Sequence, residues 1–263
     1  MNPKRYIGST LALAALLFAG NAFALPTVNS VVIGLRHFND CPTTTINTFD
    51  ADFASIIIDE TGNDCFGFAN RHSWSFSGDN VNPAEFQNSD GFSFCATVIA
   101  SGSGDGEIGL RLSPWWSLDI DGTFMLNTRS GEIAVFGGRL PFYSFTANHA
   151  QTYVKGTIAT LAIDYRPNGL SAASPGSIVY TLTNANGTFS SPVLLFDQGN
   201  PAEDPPHGQW GILQPARAGG YMQFYNGQGT AVDFRGSWSN ICYDAHPVPT
   251  APTTWGRIKS DYR

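Results

Sequence analysis

Thr160-Leu161-Ala162-Ile163-Asp164-Tyr165 carries its large apolar residues, Leu161, Ile163 and Tyr165, at every second position. Successive side chains of an extended chain point to opposite faces, so this spacing describes a strand with one buried face. Ile178, Tyr180 and Leu182 repeat the pattern, with Val179, Thr181 and Thr183 opposite. Asn186-Gly187 follows, a tight-hairpin signal because both central positions of such a turn favour positive φ. Val232, Phe234 and Trp238 carry the alternation on, with Asp233, Arg235, Ser237 and Ser239 facing away.

Working outward, no stretch of ten or more residues between 28 and 243 shows a helical apolar period. Short alternating or β-branched runs recur instead, separated by Gly, Pro, Asn and Asp. They predict strands over residues 27–35, 53–58, 73–77, 91–99, 107–112, 123–127, 132–136, 142–145, 153–165, 177–183, 193–196, 209–213, 220–225 and 230–243. The expected class is all-β: two antiparallel sheets packed face to face, with about 12–14 strands.

Composition narrows the setting. The 263 residues are 42% hydrophobic but only 13% charged, against about 25% in an average soluble domain. The surface is therefore built from Ser, Thr, Asn and Gly more than from ions. A net charge of −7 and only three lysines, Lys4, Lys155 and Lys259, argue against a nucleic-acid partner, which needs clustered cations to displace phosphate counterions. Lys4 and Arg5, an apolar run over residues 7–19, and Ala22 and Ala24 before Leu25-Pro26 fit a cleaved secretory signal over residues 1–24. The run is shorter than a membrane span, and nothing later resembles one. The expected location is secreted or cell-surface.

Export makes the cysteines legible. Cys41, Cys65, Cys95 and Cys242 form no C-x-x-C pair, and no histidine lies at zinc-finger spacing. Two disulfides suit an oxidising compartment. Of the three possible pairings the expected one is Cys41–Cys65, a local staple, with Cys95–Cys242 tying an early strand to the last. The chain thus divides into the signal, N-terminal strands over 25–71, the sandwich over 72–244, and a tail over 245–263. In that tail a Pro/Thr spacer leads to a basic end containing Arg257, Lys259 and Arg263.

An aromatic opening strand (His72-Ser73-Trp74-Ser75-Phe76-Ser77), a long inner strand ending in Tyr165, Gly-marked hairpins, and a final strand bearing Phe234, Trp238 and Ile241 make a recognisable layout. Over residues 72–243 it resembles the concanavalin A-like lectin/glucanase superfamily, a jelly-roll sandwich. The resemblance implies a curved sheet whose concave face binds glycans, in some members with a structural calcium.

The hydrolases of that superfamily need paired acids in Glu-x-Asp-x-x-Glu spacing, so that alternate residues point both carboxylates into the cleft. The five glutamates, Glu60, Glu85, Glu107, Glu132 and Glu203, do not make that motif. Of the alginate-lyase branch, only Gly220-Tyr221-Met222-Gln223 is similar to a family strand; its Gln-x-His and Arg-x-Glu-Leu-Arg strands have no counterpart. No G-x-S-x-G elbow is present, and the histidines at 37, 72, 149, 207 and 246 are scattered.

Candidate ligand contacts come from the aromatics. Trp115-Trp116 cannot bury both rings on one strand face, and an exposed ring offers a plate for the C–H face of a sugar. Gly137-Gly138-Arg139-Leu140-Pro141-Phe142-Tyr143 presents Arg139 and Tyr143 beside a tight turn. In Tyr221-Met222-Gln223-Phe224-Tyr225, Tyr221 and Gln223 share one face with Tyr225, while Met222 and Phe224 take the other. Asp119-Ile120-Asp121-Gly122 supplies hard oxygens in a turn, so Asp119 and Asp121 are the calcium candidates, a plain hairpin being the other reading. The function these features suggest is a secreted, lectin-like module that binds an extracellular glycan or cell-envelope component without catalysis. The alternatives are a structural surface protein tethered by its tail, and a polysaccharide lyase or hydrolase with a non-standard site.

Overall fold

The computed structural model describes residues 25–63, 65–199, 210–212 and 214–246. The expected signal over 1–24, the tail from residue 247 onward and His207 lie outside the described residues.

Fifteen strands, numbered along the chain, form two antiparallel sheets, slightly more strands than the alternation predicts. One sheet has seven, in the order β1 (Ser30–Asn39), β4 (Ala69–Ser77), β14 (Arg217–Tyr225), β6 (Gly106–Ser113), β7 (Thr123–Asn127), β8 (Ile133–Phe136) and β9 (Tyr143–Ser144). The other has eight: β12 (Gly187–Ser190), β11 (Ser177–Asn184), β10 (Ala159–Arg166), β5 (Gly91–Ser101), β15 (Gly229–His246), β3 (Ser55–Asn63) and β2 (Thr45–Phe49), with β13 (Leu194–Leu195) beside β11. Among the described residues no helix is long and apolar enough to cross a membrane.

The alternation is realised residue by residue. In β10, Ala159, Leu161, Ile163 and Tyr165 are buried, and Tyr180 and Leu182 of β11 sit opposite Ile163 and Leu161 in the ladder. The hairpin after β11 turns through Ala185-Asn186, and Gly187 opens β12 at φ 128°. Three expected strands take other forms. Residues 153–158 do not extend β10, residues 210–212 form bends, and the strand expected over 142–145 keeps only Tyr143–Ser144, its last residue opening α1 (Phe145–His149). That short helix starts where the Ser144 hydroxyl accepts the Ala147 N–H, an N-cap bond that competes with strand pairing.

Inward-facing aromatics fill the space between the layers. Trp74 of β4 and Trp238 of β15 meet edge to face, with ring centroids 6.4 Å apart and planes at 77°. Both are fully buried, and the Trp238 indole N–H donates to the Gly109 carbonyl of β6 at 3.0 Å, a bond from one sheet to the backbone of the other. Phe76, Phe92, Phe94 and Tyr243 extend the aromatic cluster. Room for the indoles comes from Gly220. A Cβ there would stand 2.3 Å from Trp74 Nε1 and 2.8 Å from Trp238 Nε1.

Both expected disulfide pairs are formed. Cys41–Cys65 staples the N-terminal strands, and Cys95–Cys242 joins directly opposed residues of β5 and β15. Cα separations of 5.4 and 5.0 Å lie in the range a disulfide spans.

Because the indole pair is rigidly seated, Gly220→Ala forces it apart. The expected loss is about 1–3 kcal/mol of unfolding free energy, read from the urea-denaturation midpoint. An unchanged midpoint would show that the indoles have room to yield.

Candidate functional site

The outer face of the seven-stranded sheet is unusually polar and closely packed. Antiparallel register sets residues from up to five strands in rows. Asn127, Glu107, Gln223 and Arg71 make one row; Met125, Gly109, Tyr221, Ser73 and Gly34 the next; Thr123, Arg111, Gly219, Ser75 and Val32 a third. Gly109 and Gly34 leave the middle row without side chains on either side of Tyr221 and Ser73.

Arg71 lies flat over the Tyr221 ring, its guanidinium carbon 3.9 Å from the ring centroid, and one nitrogen donates to Gln223 Oε1 at 3.3 Å. A cation over a ring gains more when both are desolvated, as here: Arg71 is 3% exposed and Tyr221 fully buried. Arg71 Nε and Nη2 nevertheless have no hydrogen-bond partner among the described residues. The Tyr221 hydroxyl lies beside Thr123 without a bond of ordinary geometry. Burial pushes the Arg71 pKa down and that of Tyr221 well up. Next to them the Tyr225 hydroxyl donates to Glu107 at 2.6 Å and accepts from Asn127 at 2.7 Å. Burial raises the Glu107 carboxyl, which this bond and Arg71 only partly offset.

A second group gathers around Asp119. Its carboxylate meets Arg111 at 3.2 Å, Arg217 at 3.0 Å and His37 Nδ1 at 3.9 Å. Arg111 is fully buried on the sheet, and burial pushes its pKa down to about 10. It also donates to the Leu118 carbonyl, while the Ser113 hydroxyl donates to the Asp121 carbonyl at 2.6 Å. These bonds fold residues 115–121 back over β6. Asp119 thus serves arginines, and Asp121 sits against the Gly137 turn. Among the described residues no group of three or more His, Cys, Asp or Glu is placed to hold a metal ion.

His37 reaches this group because β1 is irregular. Its register with β4 shifts between Gly34 and Phe38, and Arg36 takes φ 58°. Bulges of this kind re-aim side chains. The imidazole drops over Gly34, where a Cβ would lie 2.2 Å from His37 Nε2, and meets the Ser73 hydroxyl at 2.8 Å. The bulge is pinned from inside. His72 Nδ1 accepts the Arg36 N–H at 3.0 Å, and its Nε2 then carries the proton donated to Glu60 at 2.8 Å. Burial pushes the Glu60 carboxyl up, but bonds from His72, Asn70 and Thr44 outweigh it and hold the pKa below its ordinary value.

The sequence-predicted residues divide by location. Tyr221 and Gln223 share the described face, and Trp115 with Trp116 forms a single 3-10 turn (Trp115–Ser117) in the segment that folds over it. The two indoles pack edge to face at 5.9 Å, and Trp115 is 38% exposed. Arg139 lies apart, paired with Asp197 beside a hollow of about 210 Å³ that Leu140 and Phe142 also line. Tyr143 is buried against Phe145, its hydroxyl 2.9 Å from His149. Sequence reasoning missed Arg71, Arg111, Glu107 and His37. Of these, Glu107 and Arg111 carry a usable signal, polar residues alternating with Ile108 and Leu110; Arg71 is hidden in the polar run from Asn70 to Ser73, and the position of His37 depends on a bulge no local pattern announces.

No protein-family model matches the chain, and no curated protein matches its sequence. Solved structures match in layout. An alginate lyase from Alteromonas sp. 272 is 10% identical over 82% of this chain and 95% of its own, with a TM-score of 0.38. A family 7 alginate lyase is 7% identical over 80% of this chain and 84% of its own, at 0.44. The Lotus tetragonolobus seed lectin is 11% identical over 80% and 97%, at 0.34. The chain is therefore similar in its sandwich layout to both concanavalin A-like lectins and alginate lyases; at these scores the likeness says nothing of activity.

The Glu60–His72 pair sets an acid limit. A carboxyl with a depressed folded pKa contributes stability above its ordinary value of 4.5 and loses it as pH falls through the folded value. Glu60→Gln is expected to cost about 3 kcal/mol at neutral pH. The gap to wild type, measured by denaturation across acid pH, should narrow below 4.5. A gap independent of pH would show that the charge of Glu60 plays no part.

Proposed function

We propose that the protein is an exported carbohydrate-binding module whose ligand lies on the outer face of the seven-stranded sheet. The observation that carries this reading is Arg71. A guanidinium so fully buried, with two nitrogens unpartnered among the described residues, gains from an acceptor-rich ligand, since a buried donor left unmade costs about 1–3 kcal/mol. A sugar supplies such acceptors as hydroxyls or, in a uronate, as a carboxylate that suits a guanidinium best.

The neighbours fit the same ligand. The Gln223 amide lies beside Arg71, the buried Tyr221 ring backs the guanidinium, and Trp115 adds a partly exposed plate at the edge of the covering segment. Paired cysteines accord with an extracellular site of action.

A glycan array carrying neutral and uronate polymers tests the reading. Arg71→Gln and Tyr221→Ala should each weaken binding about tenfold or more, equivalent to about 1.4 kcal/mol, and Trp115→Ala should weaken it less. Absence of binding to any polymer, or binding indifferent to all three changes, would refute it.

A further inference from the structure

We propose that Ser73 is an acyl-transfer nucleophile, with His37 as its general base and Asp119 as the charge behind the imidazole, acting on esters of a small acyl group such as acetate. This goes beyond glycan binding, though it uses the same sheet face.

The geometry is that of a nucleophile and its base. Ser73 Oγ and His37 Nε2 are 2.8 Å apart, within reach for direct proton transfer. The other ring nitrogen faces Asp119 Oδ2 at 3.9 Å, an electrostatic contact longer than a hydrogen bond, so a proton on Nδ1 is favoured and Nε2 is left to accept. The arrangement is held from several sides. Gly34 gives the imidazole its seat, the Arg36 bulge aims it, and the Glu60–His72 pair in the core pins the bulge. Burial lowers the His37 pKa, with Arg111, His72 and Arg71 adding to the effect and Asp119 opposing it. A base uncharged at neutral pH results.

Ser73 and His37 line a cavity of about 140 Å³ together with Gly34, Ser75, Asp119 and Arg217. At about 30 Å³ per water in the liquid, it holds a few waters or one acetyl group, and is too small for a sugar ring. Arg217 brings positive charge to the cavity, and its Nε is buried with no partner among the described residues. A fixed donor of this kind stabilises an oxyanion.

The steps balance as an ester hydrolysis. Ser73 Oγ adds to the carbonyl carbon while its proton passes to His37 Nε2. The tetrahedral oxyanion collapses, the bond to the alcohol oxygen breaks, and His37 returns the proton to that oxygen. Water then adds to the acyl-serine, giving its proton to His37, and the acid leaves as Ser73 Oγ recovers a proton. Ser73 stands directly opposite Tyr221 in the ladder, so an acetyl ester on a bound sugar and a free small ester are two sources of the same group.

The full chain treated with a fluorophosphonate should be labelled at Ser73, as read by peptide mass. Ser73→Ala should abolish the label, and His37→Gln should slow labelling by about 100-fold or more. Acetate release from an acetylated glycan alone would assign the ester to the bound sugar; release from p-nitrophenyl acetate as well would extend it to free esters. Wild-type Ser73 left unlabelled under conditions that saturate a serine esterase would overturn the proposal without any variant having to fold. So would a labelling rate unchanged in His37→Gln. Labelling of wild-type Ser73 in a chain that binds no polymer on the array would uphold this proposal and refute the binding reading, and binding with Ser73 unlabelled would do the reverse.

Discussion

The imidazole of His72 spans the interior near one edge of the sandwich. Through Nε2 it donates to Glu60 on the opposite sheet, and through Nδ1 it accepts the backbone N–H of Arg36 on the neighbouring strand. A buried carboxylate is costly unless its lone pairs are filled, and Asn70 and Thr44 fill those that His72 leaves. The Arg36 side chain is drawn into the same region by Asn39 and the Cys41 carbonyl. One polar knot therefore holds the two layers in register and keeps β1 from running straight. Apolar packing elsewhere sets the spacing of the sheets but not this local departure.

That departure is what gives the outer face its character. A regular β1 would leave its next side chain alternating past Gly34; the bulge lays His37 over it. Around the imidazole, Arg111 and Arg217 share one carboxylate, Asp119, which thus closes residues 115–121 over the sheet. In a desolvated setting such pairs interact strongly but tolerate no missing partner. One carboxylate shared by two guanidiniums, and a third guanidinium held among the described residues by a ring and an amide, leave donors to spare on this face.

The strands were legible wherever side chains alternate over five or more residues, as in Leu161–Ile163–Tyr165 or Tyr221–Gln223–Tyr225. Both patterns lie as their spacing implied. Short edge strands were not: β2 and β12 are largely exposed, so no buried face marks Thr45–Phe49 or Gly187–Ser190. The strand expected over 142–145 stops at Ser144, because that residue caps α1 and takes Phe145 into the helix. At the site, the shared face of Tyr221, Gln223 and Tyr225 was readable from alternation, but its burial was not, and the Arg71–Tyr221 stack and the meeting of His37 with Ser73 join residues far apart in sequence. Tyr143 shows the converse, since a tyrosine beside a glycine-rich turn reads as a contact but here satisfies its hydroxyl on His149 within the fold.

The bridge between Cys95 and Cys242 has a bearing on how the molecule endures a cut in its chain. The two cysteines lie 147 residues apart in sequence, yet they are opposed on adjacent strands. A protease that cuts any loop between them therefore produces two pieces still joined through sulfur. Every strand from β6 to β14 lies within that covalent loop, so a nicked chain keeps its fragments together and can hold its sheets until a reductant frees them.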